Sequence, residues 1–489
     1  MTRQRSGGLA RALTKDAAIY GVGDIAGRAL SFISVPVYTR LFDQEQYSVL
    51  AFLTTVTGLM SAVLILGGDT TYTRFFFERS SDRERRDLTT TWLGFLVLWA
   101  AAVTLLLLPF AGPAADWAFG DAGGGELFTL LLLSLPIALA SRMLAQGLRN
   151  EFRAWAYAST SFATSALGLT LSLLLVTTRG MGVAGVLVGY LVADVTVGAI
   201  RALLARHLFL GGRFHRELLP PLLRFGAPLI AVSVSFWTFQ MSDRLMLVKL
   251  ADLRDLADYS LAIAITSVLV LISGAAASAW TPRAFSLYEE DPERTATVVG
   301  ALIGYFTTAL AVSGLVVATA AREVVGLVAP PSYDRAEDVI PILTIGLVAS
   351  GSAVLTGTGI SIRRRTSYAA RYAGYAAVVN VVVAIALIPA LGMYGAATAS
   401  ATGYLVLTFG YLWRSQRLWP VPIDGRRLGI LCGGLALATA ATSLDEVQAS
   451  PVKWLIPVAF LWLMITAGPT PWKRVRSVLR EIAQRPTAA

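Results

Sequence analysis

Residues 17–38 read AAIYGVGDIAGRALSFISVPVY. Only Asp24 and Arg28 carry charge in this run, and a helix of this length would cross the roughly 30 Å hydrocarbon core of a bilayer. Four basic residues precede the run, as in a signal peptide, but no convincing small-residue cleavage site follows it. We therefore interpret it as an uncleaved first membrane span.

Similar apolar runs continue along the whole chain. Of the 489 residues, 55% are hydrophobic and 15% are charged, and the mean hydropathy is +0.63. The composition predicts an all-α polytopic membrane protein with about fourteen transmembrane helices and no room for a sizeable soluble domain. The predicted spans begin at Ala17, Tyr47, Thr89, Leu127, Trp155, Met181, Leu222, Leu256, Ala296, Val339, Tyr368, Met393, Leu428 and Val452.

Several classes of function are disfavoured by the same composition. One cysteine, Cys432, and two histidines, His207 and His215, cannot form a disulfide framework or a usual zinc site, so we expect no metal and no cofactor. No GxxxxGK[ST] loop is present, which argues against ATP as the direct energy source. The net charge of +10 comes mostly from residues between apolar runs, so we do not expect nucleic acid as a partner.

The basic residues also predict the topology. Twenty-nine basic residues fall in the two ends of the chain and in every second connection, and eight fall in the remaining connections. By the positive-inside rule, this asymmetry predicts that both termini lie in the cytoplasm. Arg201 and Arg244 are counted in connections here. The four remaining basic residues fall within the apolar runs, and they are Arg28, Arg142, Arg224 and Arg371.

Short matches at a nearly constant offset indicate an internal repeat. Tyr20-Gly21 matches Phe225-Gly226, and Gly182-Val183-Ala184-Gly185 matches Gly392-Met393-Tyr394-Gly395. Two further pairs, at Tyr47 with Tyr259 and at Arg74 with Arg283, keep the same order with offsets between 205 and 212. Six spans per half is an even number, so the two halves are predicted to form a parallel repeat.

This repeat gives the predicted division of the chain. Two six-helix lobes are followed by two additional helices, and the cavity between the lobes is the expected substrate site. The predicted segments are a cytoplasmic arm at 1–16, the N-lobe at 17–217, the C-lobe at 218–420, spans thirteen and fourteen at 421–469, and a basic cytoplasmic tail at 470–489.

The charged residues within the spans are the candidate functional residues, because a charge at the bilayer centre is costly. We predict a cationic cavity that binds an anionic ligand such as a diphosphate, since guanidinium groups bind phosphate bidentately. Its predicted residues are Arg28, Arg142, Arg224, Arg283 and Arg371. Asp24 and Asp194, the two acids predicted to lie deep in the membrane, are candidates for ion coupling or for pairing with a cation. Asn380 is predicted to hold helices together.

Each assignment has a structural alternative. Arg142, Arg224 and Arg371 lie near the ends of their spans and could simply extend to the membrane surface. Asp24 and Arg28, four residues apart, could form a structural ion pair, and Asp194 could mediate a helix contact.

The residues of the first two spans and of the connections that follow them resemble those of a known family. Tyr20-Gly21-Val22-Gly23-Asp24, Ser34 to Phe42, Glu45 to Ser48, and Gly67-Gly68-Asp69 to Phe76 are similar to the opening of the Wzx-type polysaccharide-biosynthesis flippases of the multidrug/oligosaccharidyl-lipid/polysaccharide exporter superfamily. The chain departs from the common pattern at Asp24, where Asn is frequent, and at Ser48, where Gly is frequent.

The resemblance implies a MATE-like transporter rather than an enzyme. Its expected activity is the transfer of an undecaprenyl-diphosphate oligosaccharide across the bacterial inner membrane by alternating access, with functional charges at Asp24 and Arg28. The partners that it implies are membrane lipid, glycosyltransferases and a polysaccharide polymerase. Two alternatives remain, a membrane-embedded oligosaccharide polymerase or ligase and a small-molecule exporter of the same superfamily. The outer connections are too short for the folded domain expected of a polymerase, and the embedded arginines disfavour a cation exporter.

Overall fold

The protein is built from helices wherever its structure is described. The structure, a computed structural model, describes residues 27, 30, 32–120, 124–363 and 365–467, and in these ranges every regular element is an α-helix or a short 3₁₀-helix. Some side chains within α9 and α10 lie outside the description. By length and composition, nine helices in the described ranges could cross a membrane. The protein is therefore a multi-pass membrane protein.

The chain forms two compact units, one ending at Trp237 and the other beginning at Thr238. This division falls within α9, whereas the predicted boundary at 217/218 precedes that helix. The helices of the first unit are α1 (32–41), α2 (Gln44–Leu64), α3 (Gly68–Glu78), α4 (Asp82–Leu107), α5 (Ala111–Phe119), α6 (Gly125–Asn150), α7 (Ala154–Arg179), α8 (Gly182–Leu204) and the first part of α9 (Leu219–Leu250).

The second unit continues from the remainder of α9. Its helices are α10 (Leu253–Glu290), α11 (Pro292–Thr319), α12 (Ala321–Val328), α13 (Ala336–Thr356), α14 (Thr358–Ile362), α15 (Thr366–Leu391), α16 (Met393–Leu418), α17 (Gly425–Thr442), α18 (Asp445–Gln448) and α19 (Leu455–Thr466). Each of the thirteen predicted spans from Tyr47 onward overlaps one helix of the two units, and the last of these spans overlaps α19, which has 12 residues. The predicted start of the first span, at Ala17, lies outside the described residues.

Several helices begin where a side chain caps the free backbone amides. The carboxylate of Asp43 accepts from the amide of Gln46 at 2.8 Å at the start of α2. At the start of α4, the hydroxyl of Ser81 accepts from the amide of Glu84 at 3.2 Å, and the Glu84 side chain faces back to the Ser81 amide. These local signals end one helix and begin the next within a few residues.

The second span is interrupted between α2 and α3. Leu66 and Gly67 both have positive φ, 53° and 65°, and this left-handed turn ends α2 and starts α3. Gly68, directly after the turn, lies against the buried indole of Trp92, where an added Cβ would come within 3.3 Å of the ring nitrogen. The turn therefore separates α3 from α2 as a helix of its own. The apolar run alone does not predict this short helix.

Both units pack their helices in the same order. In the first, α8 packs against α6 and α7, and α6 against α4; in the second, α16 packs against α13 and α15, and α13 against α11. The two sets also share a backbone conformation. Gly182, the first residue of α8, and Gly392, which directly precedes α16, have positive φ values of 54° and 53°. The fold therefore consists of two similarly packed sets of helices, as the repeat predicts, with α17 and α19 added to the second set against α11.

The second unit is held at one end by Asp255. Its carboxylate accepts from the backbone amide of Met393 at 3.2 Å and forms an ion pair with Arg335 at 3.0 Å. A Cβ at position 392 would overlap the Asp255 carboxylate, so glycine is required there. This contact fixes the start of α16 relative to α10 and α13, and α16 carries part of a buried polar cluster described below.

Candidate functional site

Three of the seven predicted site residues cannot be compared with the geometry. Asp24 and Arg28 lie outside the described residues. Arg283 belongs to α10, but its side chain is outside the described part of the structure. The predicted ion pair between Asp24 and Arg28 and the predicted role of Arg283 therefore stay predictions.

Arg142 on α6 forms an ion pair with Asp69 on α3, in which the guanidinium donates to Oδ2 of the carboxylate. The side chains are 56% and 34% exposed, so the pair lies at a surface that an ionic group can reach. The second carboxylate oxygen, Oδ1, is buried and has no hydrogen-bond partner among the residues that the structure describes. Because one carboxylate contacts one edge of the guanidinium, donors on Arg142 remain available for a second anion.

Amide and hydroxyl side chains fix α3 against α6 beside this ion pair. The hydroxyl of Thr73 lies 2.9 Å from Oδ1 of Asn150, and the amide of Gln146 donates to the Thr73 hydroxyl at 2.8 Å. Asn150 is buried, and its amide nitrogen has no hydrogen-bond partner. This polar contact between two helices determines where Arg142 and Asp69 are held.

Arg74, the arginine of α3, contacts the start of α9. The guanidinium carbon of Arg74 lies 4.4 Å from the centroid of the Phe225 ring, and its Nε lies 3.0 Å from Glu78. Arg224, which directly precedes Phe225, is exposed and has no carboxylate partner among the described residues. The structure thus brings two predicted residues, Arg142 and Arg224, into the surroundings of α3. We call Asp69, Arg74, Arg142, Arg224 and Phe225 the α3 patch.

Arg371 lies elsewhere, on α15 in the second unit. Its side chain is exposed, and its guanidinium carbon lies 5.5 Å from the centroid of the Tyr368 ring. On a helix of 3.6 residues per turn, Arg371 is opposite to Asn380, which is buried and faces α9 and α16. Arg371 therefore belongs to the outer face of α15.

Asp194 is partly buried on α8, and Arg201, two turns further along the same helix, is the cation that acts on it electrostatically. The prediction that Arg201 lies in a connection was wrong, because this residue is inside α8 with only 5% of its surface exposed. Its guanidinium donates to Ser141 Oγ at 2.6 Å and to Thr160 Oγ1 at 3.2 Å. Hydrogen bonds from two neighbouring helices compensate for burial of this charge.

A carboxylate that the sequence analysis did not single out lies in the second unit. Asp243 on α9 is 2% exposed, and its Oδ2 accepts hydrogen bonds from the Tyr259 hydroxyl and, at 2.9 Å, from Ser400 Oγ. Its Oδ1 accepts from the backbone amide of Arg244 at 2.8 Å. The prediction that Asp24 and Asp194 are the two deep acids was therefore incomplete. Arg244, which was predicted to lie in a connection, also lies within α9.

Asn380 extends this cluster to α15. Its carbonyl oxygen accepts from the Ser242 hydroxyl at 3.1 Å, and its amide lies 3.5 Å from Ser400 Oγ. Asn380 thus connects α9 with α16, as predicted from its position in an apolar span. We call Asp243, Tyr259, Asn380 and Ser400 the Asp243 cluster.

The described residues include no group of three or more His, Cys, Asp or Glu side chains arranged to hold a metal ion. A single buried carboxylate surrounded by hydroxyl and amide groups can instead bind and release a proton or a monovalent cation, because it has one negative charge and several neutral oxygen ligands.

The sequence family follows from a match over residues 13–288 to the model of the polysaccharide biosynthesis proteins. The chain belongs to this family. The match covers more than half of the chain, from the first apolar run to the end of α10. No curated protein sequence matches the chain.

Solved structures share the fold of this polysaccharide biosynthesis protein. The lipid II flippase MurJ in an inward closed conformation has a TM-score of 0.71 at 11% identity, over 96% of this chain and 100% of MurJ. An inward-facing MATE family multidrug transporter of the MOP superfamily has a TM-score of 0.68 at 19% identity, over 80% of this chain and 94% of its own. A variant of the Vibrio cholerae MATE transporter VcmN has a TM-score of 0.60 at 13% identity, over 84% of this chain and 97% of its own. This polysaccharide biosynthesis protein therefore shares its fold with these flippase and transporter structures.

Two site residues of this family member escaped sequence reasoning for the same reason. Arg201 and Asp243 lie toward the ends of apolar runs, where a charge is easily assigned to the next connection. The sequence features that could have pointed to them were Ser141 and Asn380, two polar residues inside other predicted spans. Polar residues on two spans indicate that a charge near the end of a third can be buried between them.

Proposed function

We propose that the protein is a flippase that transfers a prenyl-diphosphate-linked oligosaccharide from the cytoplasmic to the outer leaflet of the bacterial inner membrane, for export of a cell-surface polysaccharide. The proposed lipid is undecaprenyl, and the proposed mechanism is alternating access between an N-lobe at 17–217 and a C-lobe at 218–420. Membership in the polysaccharide biosynthesis family and the transporter fold support this function.

The α3 patch is the observation that carries the proposal. Arg142 and Arg224 are exposed arginines on α6 and α9, and Arg74 lies over the ring of Phe225, which follows Arg224 in the chain. Arginines in the membrane are retained where they bind something, and the planar guanidinium matches the geometry of a diphosphate. In the proposed complex, Arg142 exchanges part of its contact with Asp69 for a phosphate oxygen. Arg28 and Arg283 are proposed to complete the cationic site.

We propose that the Asp243 cluster couples transport to an ion gradient. Asp243 is more deeply buried than Asp194, and the hydroxyls of Tyr259 and Ser400 can turn from carboxylate to cation because each oxygen also has lone pairs. Protonation or cation binding would neutralise the charge and change the hydrogen bonds that join α9, α10, α15 and α16. Asp24 and Asp194 remain the alternative coupling residues.

The proposed topology has both termini in the cytoplasm, where glycosyltransferases assemble the lipid-linked substrate. A polymerase on the outer side would consume the product. ATP is not proposed as an energy source.

The test is lipid extraction from cells that lack the protein, followed by determination of the leaflet that holds any accumulated prenyl-diphosphate oligosaccharide. An external glycan-cleaving enzyme reports the leaflet, and mass spectrometry of the lipid identifies the glycan. Single repeat units protected inside the cell would support the flippase. Single units accessible from outside would indicate a polymerase or ligase instead, and no accumulated lipid would indicate a small-molecule exporter. Restoration by the intact gene controls for effects on neighbouring genes.

A further inference from the structure

Arginine and aromatic side chains meet where α15 begins and α16 ends. The guanidinium carbon of Arg414 lies 3.7 Å from the centroid of the Tyr368 ring, which Arg371 also approaches. The guanidinium carbon of Arg417 lies 4.0 Å from the centroid of the Trp413 ring, and Tyr372 packs edge-on against that indole. We call the six residues Tyr368, Arg371, Tyr372, Trp413, Arg414 and Arg417 the α15–α16 rim.

The three arginines of the rim have no acidic partner. In the part of the chain that the structure describes, no carboxylate lies within ion-pair distance of Arg371, Arg414 or Arg417. Among the described residues, the buried Nε of Arg414 has no hydrogen-bond acceptor. Three guanidinium groups held on aromatic rings at one place attract a strongly anionic group.

An apolar stripe runs along α15 from the same face as Arg371. Tyr375, Val378, Val382 and Ile385 follow at helical spacing, and each is 56 to 62% exposed. The opposite face, with Ala376, is buried against the rest of the unit. Val378, Val382 and Ile385 are exposed and wholly apolar, which indicates contact with lipid tails rather than with a water-filled cavity, and Tyr375 stands at the headgroup end of the stripe.

The length of the stripe indicates which lipid fits. The rise from Tyr375 to Ile385 is about 15 Å on an α-helix. This is half of the roughly 30 Å hydrocarbon core of a bilayer, so the stripe spans the depth of a single leaflet. A two-chain phospholipid has its headgroup at the surface and its acyl chains within one leaflet. Apart from the Tyr375 hydroxyl at its end, the side chains of the stripe have no hydrogen-bonding groups for sugars, which disfavours the glycan-bearing substrate.

We propose that the α15–α16 rim is a binding site for an anionic phospholipid of the surrounding bilayer. Its phosphate lies between Arg371 and Arg414, and one acyl chain lies along the stripe from Tyr375 to Ile385. On the predicted topology the site is in the cytoplasmic leaflet, where juxtamembrane arginines recognise anionic headgroups. Arg371 then serves this lipid instead of the cationic cavity, and the proposal does not depend on the flippase function.

The test is lipid retention by the purified full-length protein in native mass spectrometry, with phosphatidylglycerol and phosphatidylcholine at equal concentrations. The wild type is expected to retain phosphatidylglycerol in preference, and the double variant Arg371→Gln with Arg414→Gln is expected to lose affinity for it about tenfold or more. The matched control is Arg426→Gln, which removes one charge from the start of α17 in the same unit and is expected to behave as the wild type. Arg371→Lys with Arg414→Lys should retain most of the preference, because a point charge still binds phosphate.

Thermal unfolding of each variant separates lost binding from lost folding. Since Arg371 is exposed, the single variant Arg371→Gln replaces the double variant if the latter does not fold. Unchanged phosphatidylglycerol retention in a folded glutamine variant would overturn the proposal. Displacement of phosphatidylglycerol from the wild type by an equal concentration of undecaprenyl phosphate would also overturn it, and would assign the rim to the prenyl-linked substrate.

Discussion

Gly226 of α9 faces the backbone carbonyl of Leu66, so closely that a Cβ at position 226 would overlap the carbonyl oxygen. Leu66 is in the left-handed turn that separates α2 from α3. The first part of α9 thus rests on the interruption of the second span, at the place where α3 and its arginines begin. A backbone oxygen cannot move aside as the end of a flexible side chain can.

We expect Gly226→Ala to destabilise the protein by about 1 to 3 kcal/mol, because the methyl group displaces either α9 or the turn at Leu66. Thermal unfolding of the purified protein, followed by tryptophan fluorescence, measures the change. Gly429→Ala in α17 is the control, since an added Cβ there meets no atom within 4 Å and alanine favours a helix. Equal unfolding temperatures for Gly226→Ala and the wild type would show that the turn adapts.

Substitution of Arg142 should affect transport more than stability. The ion pair with Asp69 is half-exposed, and such a pair contributes about 1 kcal/mol at most. If Arg142 also binds a diphosphate, Arg142→Gln should reduce flipping about tenfold or more, because a charge-assisted and bidentate contact is lost. The measurement is restoration of polysaccharide export in cells that lack the protein, with expression level determined in parallel.

Arg206→Gln provides the comparison for Arg142→Gln. Arg206 is exposed on the 3₁₀-helix after α8, outside the α3 patch. Its substitution should leave export intact. If both variants restore export equally, Arg142 is a structural residue and the α3 patch is not the diphosphate site.

Asp243→Asn should uncouple transport from the ion gradient while the cluster remains folded. Asparagine retains an oxygen for the hydrogen bonds from Tyr259 and Ser400 but cannot carry the negative charge. We expect transport in proteoliposomes to lose its dependence on a proton or sodium gradient. Asp194→Asn is the matched comparison on α8, and full gradient dependence in Asp243→Asn with loss in Asp194→Asn would reverse the assignment.

The stability of the second unit should depend on pH through Glu323 and Lys453. Partial burial raises the pKa of the Glu323 carboxyl, but the hydrogen bond from the Lys453 ammonium at 2.5 Å, with the charges of Lys453 and Arg322, outweighs burial and holds the pKa below its ordinary value. The charged form is thus favoured in the folded state. The resulting stabilisation is present above the unfolded pKa of about 4.3 and is lost as the pH falls through the lower folded value.

Glu323→Gln tests this dependence. At pH 7 we expect it to reduce the free energy of unfolding by about 0.5 to 1 kcal/mol, a modest value because the Glu323 side chain is 53% exposed. The difference from the wild type should disappear toward pH 3. Thermal unfolding across this pH range gives the measurement, and a difference that stays constant with pH would contradict the role of the ionised carboxylate.

Much of the fold follows from the sequence because membrane helices need long apolar runs. The spans predicted from Tyr47 to Val452 begin within about seven residues of the observed helices, since the hydrophobic core of a bilayer sets their length. The short helices α3, α5, α12 and α14 were not predicted. They depend on turns such as Leu66-Gly67, which is followed by Gly68 packed against Trp92, a contact between distant residues that local composition does not predict.

The candidate sites were less predictable for a physical reason. A charge within a helix is visible in the sequence, but its partner is set by which helices pack together. Arg142 was found by its position in an apolar run, whereas its contact with Asp69 joins residues 73 positions apart. Asp243 and Ser400, 157 positions apart, meet only because α9 and α16 lie side by side. Periodicity assigns a residue to a face of its own helix and does not identify the neighbour.

Gly182 and Gly392 hold the same uncommon backbone angle at the same point of two similarly packed helix sets. A positive φ is adopted at low cost only by glycine. A side chain at position 182 or 392 would therefore strain the same point of either helix set, so glycine is the residue that lets both sets enter their last helix in this way.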